Sequence, residues 1–147
     1  MKGDSYDTRS AMMGKQVQSG NFEGWNIRTS QIGSDRKPHL IIRESGASEL
    51  SVQGSTAMVD LTTYHVVITY DGSKTAAGVR MFLNNVEETY NVLTNTLVNH
   101  PSSSATMMIG AAGGTGGLEF SGILDEVATY DRVLSPTEIS EHYNASL

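Results

Sequence analysis

The sequence predicts an all-β fold, a sandwich or barrel of short strands with one short helix at its C-terminal end. Three observations carry that expectation. Segments rich in Val, Ile, Thr and Tyr recur between turn residues, a spacing that favours strands over a helical bundle. A hairpin stands out in the middle of the chain, "YHVVITYDGSKTAAGVRMFLNNVEETY", where turn residues and apolar alternation agree. Near the end, Leu134-Ser135-Pro136 followed by Glu138 and Ile139 has the make-up of a helix N-terminus.

Taken in order, "GWNIRTSQ" (24–31) alternates as a strand, with Trp25, Ile27 and Thr29 on one face and Asn26, Arg28 and Ser30 on the other. "HLIIRES" (39–45) reads as a second strand, Leu40 and Ile42 inward and His39, Ile41 and Arg43 outward. The hairpin gives a strand over about 64–70, a polar loop opening with Asp71-Gly72, a strand over about 79–83 and the turn Asn84-Asn85. Val66, Ile68 and Tyr70 face the core there, and His65, Val67 and Thr69 face away. "TMMIGAAGGTGGLEFSGILDEVATYD" then reads as a strand, a glycine-rich loop and a long closing strand. In the last element Ser135 is the N-cap, Pro136 suits the first helical position, Glu138 reaches back to the cap, and Leu134 with Ile139 forms a hydrophobic staple. The helix is expected over about 136–143.

The 147 residues suit a single domain with a real core. With no cysteine, disulfides, thiolate nucleophiles and cysteine-ligated metals are excluded. The net charge of −6, with ten Lys and Arg scattered singly apart from Arg36-Lys37, disfavours nucleic acid, whose phosphates call for a basic stripe. No apolar run approaches the roughly 20 residues that span a bilayer, so membrane insertion is not expected. No internal repeat is evident.

Catalytic constellations fare poorly. Glycosidases need two carboxyl groups about 5 to 9.5 Å apart. Asp125 and Glu126 are neighbours on the expected strand and so point to opposite faces. Glu119 and Asp125 share a face but lie about 20 Å apart on a regular strand. "GAAGGTGGLEF" matches neither a Walker loop nor GxGxxG and reads as a hairpin loop. GxSxG is absent, and His39, His65, His100 and His142 lack metal-ligand spacing; His142 sits one helical turn after Glu138, as a surface pair would. The expectation is a protein that is not an enzyme. A binding site is then sought on an open sheet face, where Asn26, Arg28, His39, Arg43 and His65 present planar polar groups suited to sugar hydroxyls. Trp25 is the candidate aromatic platform, although sharing a face with Ile27 favours the core for it.

Three phrases carry a family resemblance. "YHVVITYDGSKTAAGVRMFLNNV", "MMIGAAGG" and "FSGILDEVATYDRVLSPTEISEHY", together spanning about 64–143, resemble the laminin G-like jelly roll of the concanavalin A-like lectin and glucanase superfamily, near its pentraxin-related branch. The resemblance implies a single domain over 1–147, a sandwich of two antiparallel sheets with a concave face that binds carbohydrate, other ligands or protein, in extracellular or surface proteins. Two departures bear on chemistry. Pentraxins carry acidic calcium ligands before the closing strand, where this chain has "AAGGTGG", and the alternating acids of the glucanases are not reproduced in "GILDEVATYD". The family's first strands normally precede the Lys2-Gly3-Asp4 segment, so an unpaired sheet edge and a homo-oligomer formed through it are expected.

The functional expectation is a non-catalytic lectin-like module that binds glycan on the concave face, through Trp25, Asn26, Arg28, His39, Arg43 and His65. No cofactor is required; a structural Ca2+ at Asp125 is the candidate metal, since carboxylate and carbonyl oxygens suit that ion. The alternatives are a structural or adhesion domain of a surface or virion protein, and a glycoside hydrolase fragment.

Overall fold

The structure, a computed structural model, describes residues 10–17, 20–32, 35–112 and 119–146. Its strands are β1 (Ala11–Gln16), β2 (Gly24–Ile32), β3 (Asp35–Ser45), β4 (Ser48–Gly54), β5 (Val66–Tyr70), β6 (Val79–Leu83), β7 (Val86–Glu87), β8 (Tyr90–Asn95) and β9 (Met108–Ile109), followed by helix α1 (Pro136–Ala145). They form two antiparallel sheets, one of six strands in the order β8-β4-β3-β2-β1-β9 and one of three, β5-β6-β7.

The sheets meet through apolar side chains at alternate positions. Leu40 and Ile42 of β3 and Leu50 and Val52 of β4 form one buried cluster with Val79 and Met81 of β6, Ala76 and Leu97. Ile68 and Tyr70 pack against it from β5, as the hairpin's alternation predicts. The Tyr90 hydroxyl donates to the Ala76 carbonyl (2.7 Å) at the cluster's margin.

The smaller sheet is covered on its other face too. Val67 lies opposite Phe82 in the ladder, and both pack with Leu134 and Ile139 in a second cluster beneath α1. The staple therefore bears on the sheet. Its cap is complete, with the Ser135 Oγ accepting from the Glu138 amide (3.3 Å) and a Glu138 carboxylate oxygen accepting from the Ser135 amide (2.8 Å). Arg132 holds the same carboxylate with both terminal nitrogens (3.0 and 2.5 Å). Arg132 and the Ser135 donors together lower the Glu138 carboxyl to about 2.

The turn between β6 and β7 is the pair Asn84-Asn85, both left-handed with φ 50° and 64°, the conformation a two-residue type I′ hairpin needs. In the β5–β6 loop the Asp71 carboxylate accepts from the Ser73 amide (2.8 Å), and a Cβ at Gly78 would fall 1.9 Å from that carboxylate oxygen, so any other residue there must displace the Asp71 side chain.

Two expectations are corrected. The segments read as strands at 24–31 and 39–45 are longer, and β1, β4 and β8 join them in the larger sheet. The long closing strand does not form: residues 119–134 contain no strand. The Phe120 amide donates to the Gly110 carbonyl (2.8 Å), and Leu134 is buried, yet Ile123 between them is 92% exposed. A strand exists only through its pairing, and among the described residues no neighbour lies in ladder register with this segment. The opening Lys2-Gly3-Asp4 and the core of the glycine-rich loop, 113–118, lie outside the described residues.

The helix and its cap make a direct prediction. Ile139 is fully buried, so Ile139→Ala is expected to cost about 2–5 kcal/mol, and Ser135→Ala about 1 kcal/mol, both read as falls in the urea midpoint at unchanged slope.

Candidate functional site

The outer face of the six-stranded sheet is polar and largely buried. Cross-strand pairing arranges it in three rows. One row runs Gln16–Gly24–Arg43–Glu49, the next Gly14–Asn26–Ile41–Ser51–Thr94, and the third Arg28–His39–Gln53–Asn91. The side chains opposite in each row share a face, as pleating requires. Gly14 makes room for this packing, because a Cβ there would lie 2.8 Å from the Asn26 Cβ.

Within the rows the polar groups are bonded to one another. The Asn26 Nδ2 donates to the Gln16 Oε1 (2.8 Å), and the Gln16 Nε2 donates to the Phe22 carbonyl (2.8 Å). His39 lies between Arg28 and Ser51, its Nδ1 3.5 Å from the Arg28 Nε and its Nε2 2.8 Å from the Ser51 Oγ. Arg28 can only donate, so Nδ1 is the acceptor and Nε2 carries the hydrogen toward Ser51. Burial first, and the Arg28 charge second, push His39 down to about 3. The imidazole is therefore neutral, with its proton on the serine side. It cannot act as the base that would make Ser51 a nucleophile.

Two polar atoms on this face stay unpartnered among the described residues: the Asn26 Oδ1 and the Gln53 Nε2. Their residues are 1% and 2% exposed. An unbonded acceptor and an unbonded donor, buried two strands apart and in adjoining rows, are costly features at about 1–3 kcal/mol each.

The structure thus brings together four of the six expected binding residues, Asn26, Arg28, His39 and Arg43, and separates two. Trp25 lies on the inner face and packs against the main cluster, so it is no platform for the polar rows. His65 precedes β5 in the other sheet, its amide bonded to the Asn84 side chain (2.9 Å) and its ring 5.7 Å from that of Tyr143. Burial and nearby His142 lower its pKa, against Glu126. The face is also more closed than expected, since Asn26 and His39 are buried rather than open. Gln16, Glu49, Ser51 and Gln53 belong to it without having been singled out. The alternation Glu49-Leu50-Ser51-Val52-Gln53 is the signal that locates the last three.

The carboxylates of the C-terminal half do not converge. Asp125 is exposed and accepts from the next amide, Glu126 (2.9 Å); Glu126 is left-handed, with φ 50°. The regular-strand spacing between Glu119 and Asp125 does not apply. Among the described residues, no group of three or more His, Cys, Asp or Glu comes together in a way that could hold a metal ion, and a Ca2+ at Asp125 would need most of its six to eight oxygen ligands from elsewhere. His142 bonds the Tyr130 hydroxyl (3.1 Å) and is not the partner of Glu138, which Arg132 holds.

The laminin G family described as the concanavalin A-like lectin/glucanases superfamily matches residues 1–140. The chain belongs to that superfamily. No curated protein and no solved structure gives a significant match. The superfamily frame agrees with the two antiparallel sheets and places the polar rows on a lectin/glucanase-like sandwich. No helix among the described residues is long and apolar enough to cross a membrane.

His39 makes stability acid-sensitive. Its folded pKa lies below the unfolded value of 6.5, so the unfolded chain binds more protons between the two, and stability present above pH 6.5 is lost as pH falls toward 3. The expected slope is about 1.4 kcal/mol per pH unit from this group. Between pH 6.5 and 5.5, above the usual 4.5 of a glutamate carboxyl, urea titrations should show a steeper loss of stability in the native chain than in His39→Gln, the difference approaching one proton toward the lower end of the window.

Proposed function

We propose that this domain is a non-catalytic, lectin-like module that binds neutral glycan on the polar outer face of the six-stranded sheet. The observation that carries the reading is the pair of unpartnered amide atoms, Asn26 Oδ1 and Gln53 Nε2, set among bonded Gln16, His39 and Ser51. One accepts and the other donates, and sugar hydroxyls do both. A glycan that draws these amides outward recovers hydrogen bonds the free protein lacks.

The absence of catalysis is supported by chemistry on the same face. Its three rows contain one carboxylate, Glu49, which Arg43 holds, whereas glycoside hydrolysis takes two. The face works through amides, a hydroxyl and a neutral imidazole and asks nothing of a metal. The superfamily assignment supports glycan or protein as the partner class and an extracellular or surface setting.

The test is a glycan array run with calcium and with chelator, followed by titration of Asn26→Ala and Gln53→Ala. Saturable binding that survives chelation, and falls about tenfold in each variant, is the expected result; dependence on calcium would return Asp125 to consideration as its ligand.

A second reading, a structural or adhesion domain, is favoured by a different observation. Among the described residues β5 is an edge strand, "VVITY", without the charge or proline that usually blunts an edge. Ile123, Tyr130 and Val133 lie exposed on the segment that precedes α1. On this basis the chain self-associates through the smaller sheet. Sedimentation velocity across a hundredfold concentration range should reveal a reversible dimer, and a constant monomer coefficient would remove the proposal.

A further inference from the structure

We propose that Phe22 is the stacking platform of this site and takes the apolar face of a neutral pyranose, beside hydrogen-bonding groups from Arg43 and Glu49. The inference rests on the carbohydrate reading above and adds the subsite at one end of the polar rows.

Phe22 is placed at a cost that packing does not explain. It is left-handed, with φ 54°, a conformation that glycine or asparagine adopts readily and a bulky residue adopts as a true outlier. Yet its ring is not in the core, since the residue is 41% exposed. Strain of this kind persists where surrounding structure enforces it, and it gathers at ligand sites.

What enforces it here is the polar network itself. The Phe22 carbonyl accepts from Gln16, and Gln16 in turn accepts from Asn26, so the ring's position is tied to the buried amide row. The loop is closed by the Val17 amide on the Glu23 carbonyl (2.9 Å). On its far side, the Glu23 carboxylate accepts from the Ser102 amide (2.8 Å).

The neighbours of the ring fit a sugar. The Arg43 guanidinium carbon stands 5.8 Å from the ring centroid. Arg43 lies opposite Glu49 in the ladder and both of its contacts fall on the Glu49 Oε2. The guanidinium has five N–H donors, more than that oxygen can take, and the second carboxylate oxygen is an acceptor. The subsite therefore offers an aromatic face flanked by donors and an acceptor with no net charge. That combination matches a neutral pyranose, one side C–H and the rim hydroxyl, better than an anion or a cation.

The test combines calorimetric titration with thermal melts, using cellotetraose, laminaritetraose, chitotetraose and lactose on the full chain and on Phe22→Gly, Phe22→Trp and Asn26→Ala. Phe22→Gly should bind about tenfold more weakly, the size of one stacking contact, while its melting temperature equals or exceeds that of the native chain, because glycine relieves the left-handed strain. Phe22→Trp should bind within roughly threefold of the native chain. Native affinity in Phe22→Gly, with Asn26→Ala weakened, would overturn the platform and leave the carbohydrate reading standing. A lower melting temperature in Phe22→Gly would make Phe22 structural and overturn it also. If none of the four sugars binds the native chain, both readings fall.

Discussion

Register between β3 and β4 is the constraint on which the rest of the molecule depends. Side chains alternate with period two, so a slip of one residue would carry Leu40, Ile42, Leu50 and Val52 to the outer face and drive His39, Ser51 and Gln53 into the apolar cluster. Antiparallel sheets commonly leave one face to water; here both faces of this strand pair are buried, and an error would be penalised on each. The same register sets the three polar rows, because β2 and β8 take their alignment from the central pair. Packing and site geometry are consequences of one ladder.

The outer face shows what that ladder is made to hold. A sheet that needed only stability would place apolar or fully exposed groups there, since a buried polar group is costly unless its partners are complete. Among the described residues this face keeps two amide atoms unpartnered and a histidine held neutral by burial, and the loop bonded to it through Gln16 holds a phenylalanine in a left-handed conformation. All are linked through Gln16, Asn26, Arg28 and Ser51 or lie in adjoining rows. Free energy is thus withheld from folding at one connected place.

Much of the fold was legible because it depends on local chemistry. Asn84-Asn85 dictates its turn, Ser135, Pro136 and Glu138 dictate a helix start, and the alternation of "VVITY" assigns its faces wherever it pairs. The closing strand was not legible, since Ile123, Val127 and Tyr130 carry strand character while strand formation requires a neighbour that no local pattern reveals. At the site, alternation placed Asn26, Arg28, His39 and Arg43 on one face correctly, yet it could not say that the face would be buried. Trp25 drew the aromatic role by residue type, whereas Phe22 stands in a loop with no periodicity, and only its φ angle and exposure mark it. Distance along the chain hid the separation of His65, which belongs to the other sheet.

The two layers of the smaller sheet's surroundings also respond differently to acid. With β7 only two residues long, the smaller sheet is little more than the β5–β6 hairpin, which needs packing to be stable, and α1 supplies cover through Leu134 and Ile139. Its cap is held by Glu138, lowered to about 2 by Arg132 and Ser135, so the cap keeps its charge through the whole range in which His39 becomes prone to protonation. Acid therefore acts on the domain through His39 on the polar face and through His65 beside Tyr143 of α1, and not through the cap carboxylate. A ligand that bound only the folded face would raise stability by RT ln(1 + L/Kd), where L is the free ligand concentration.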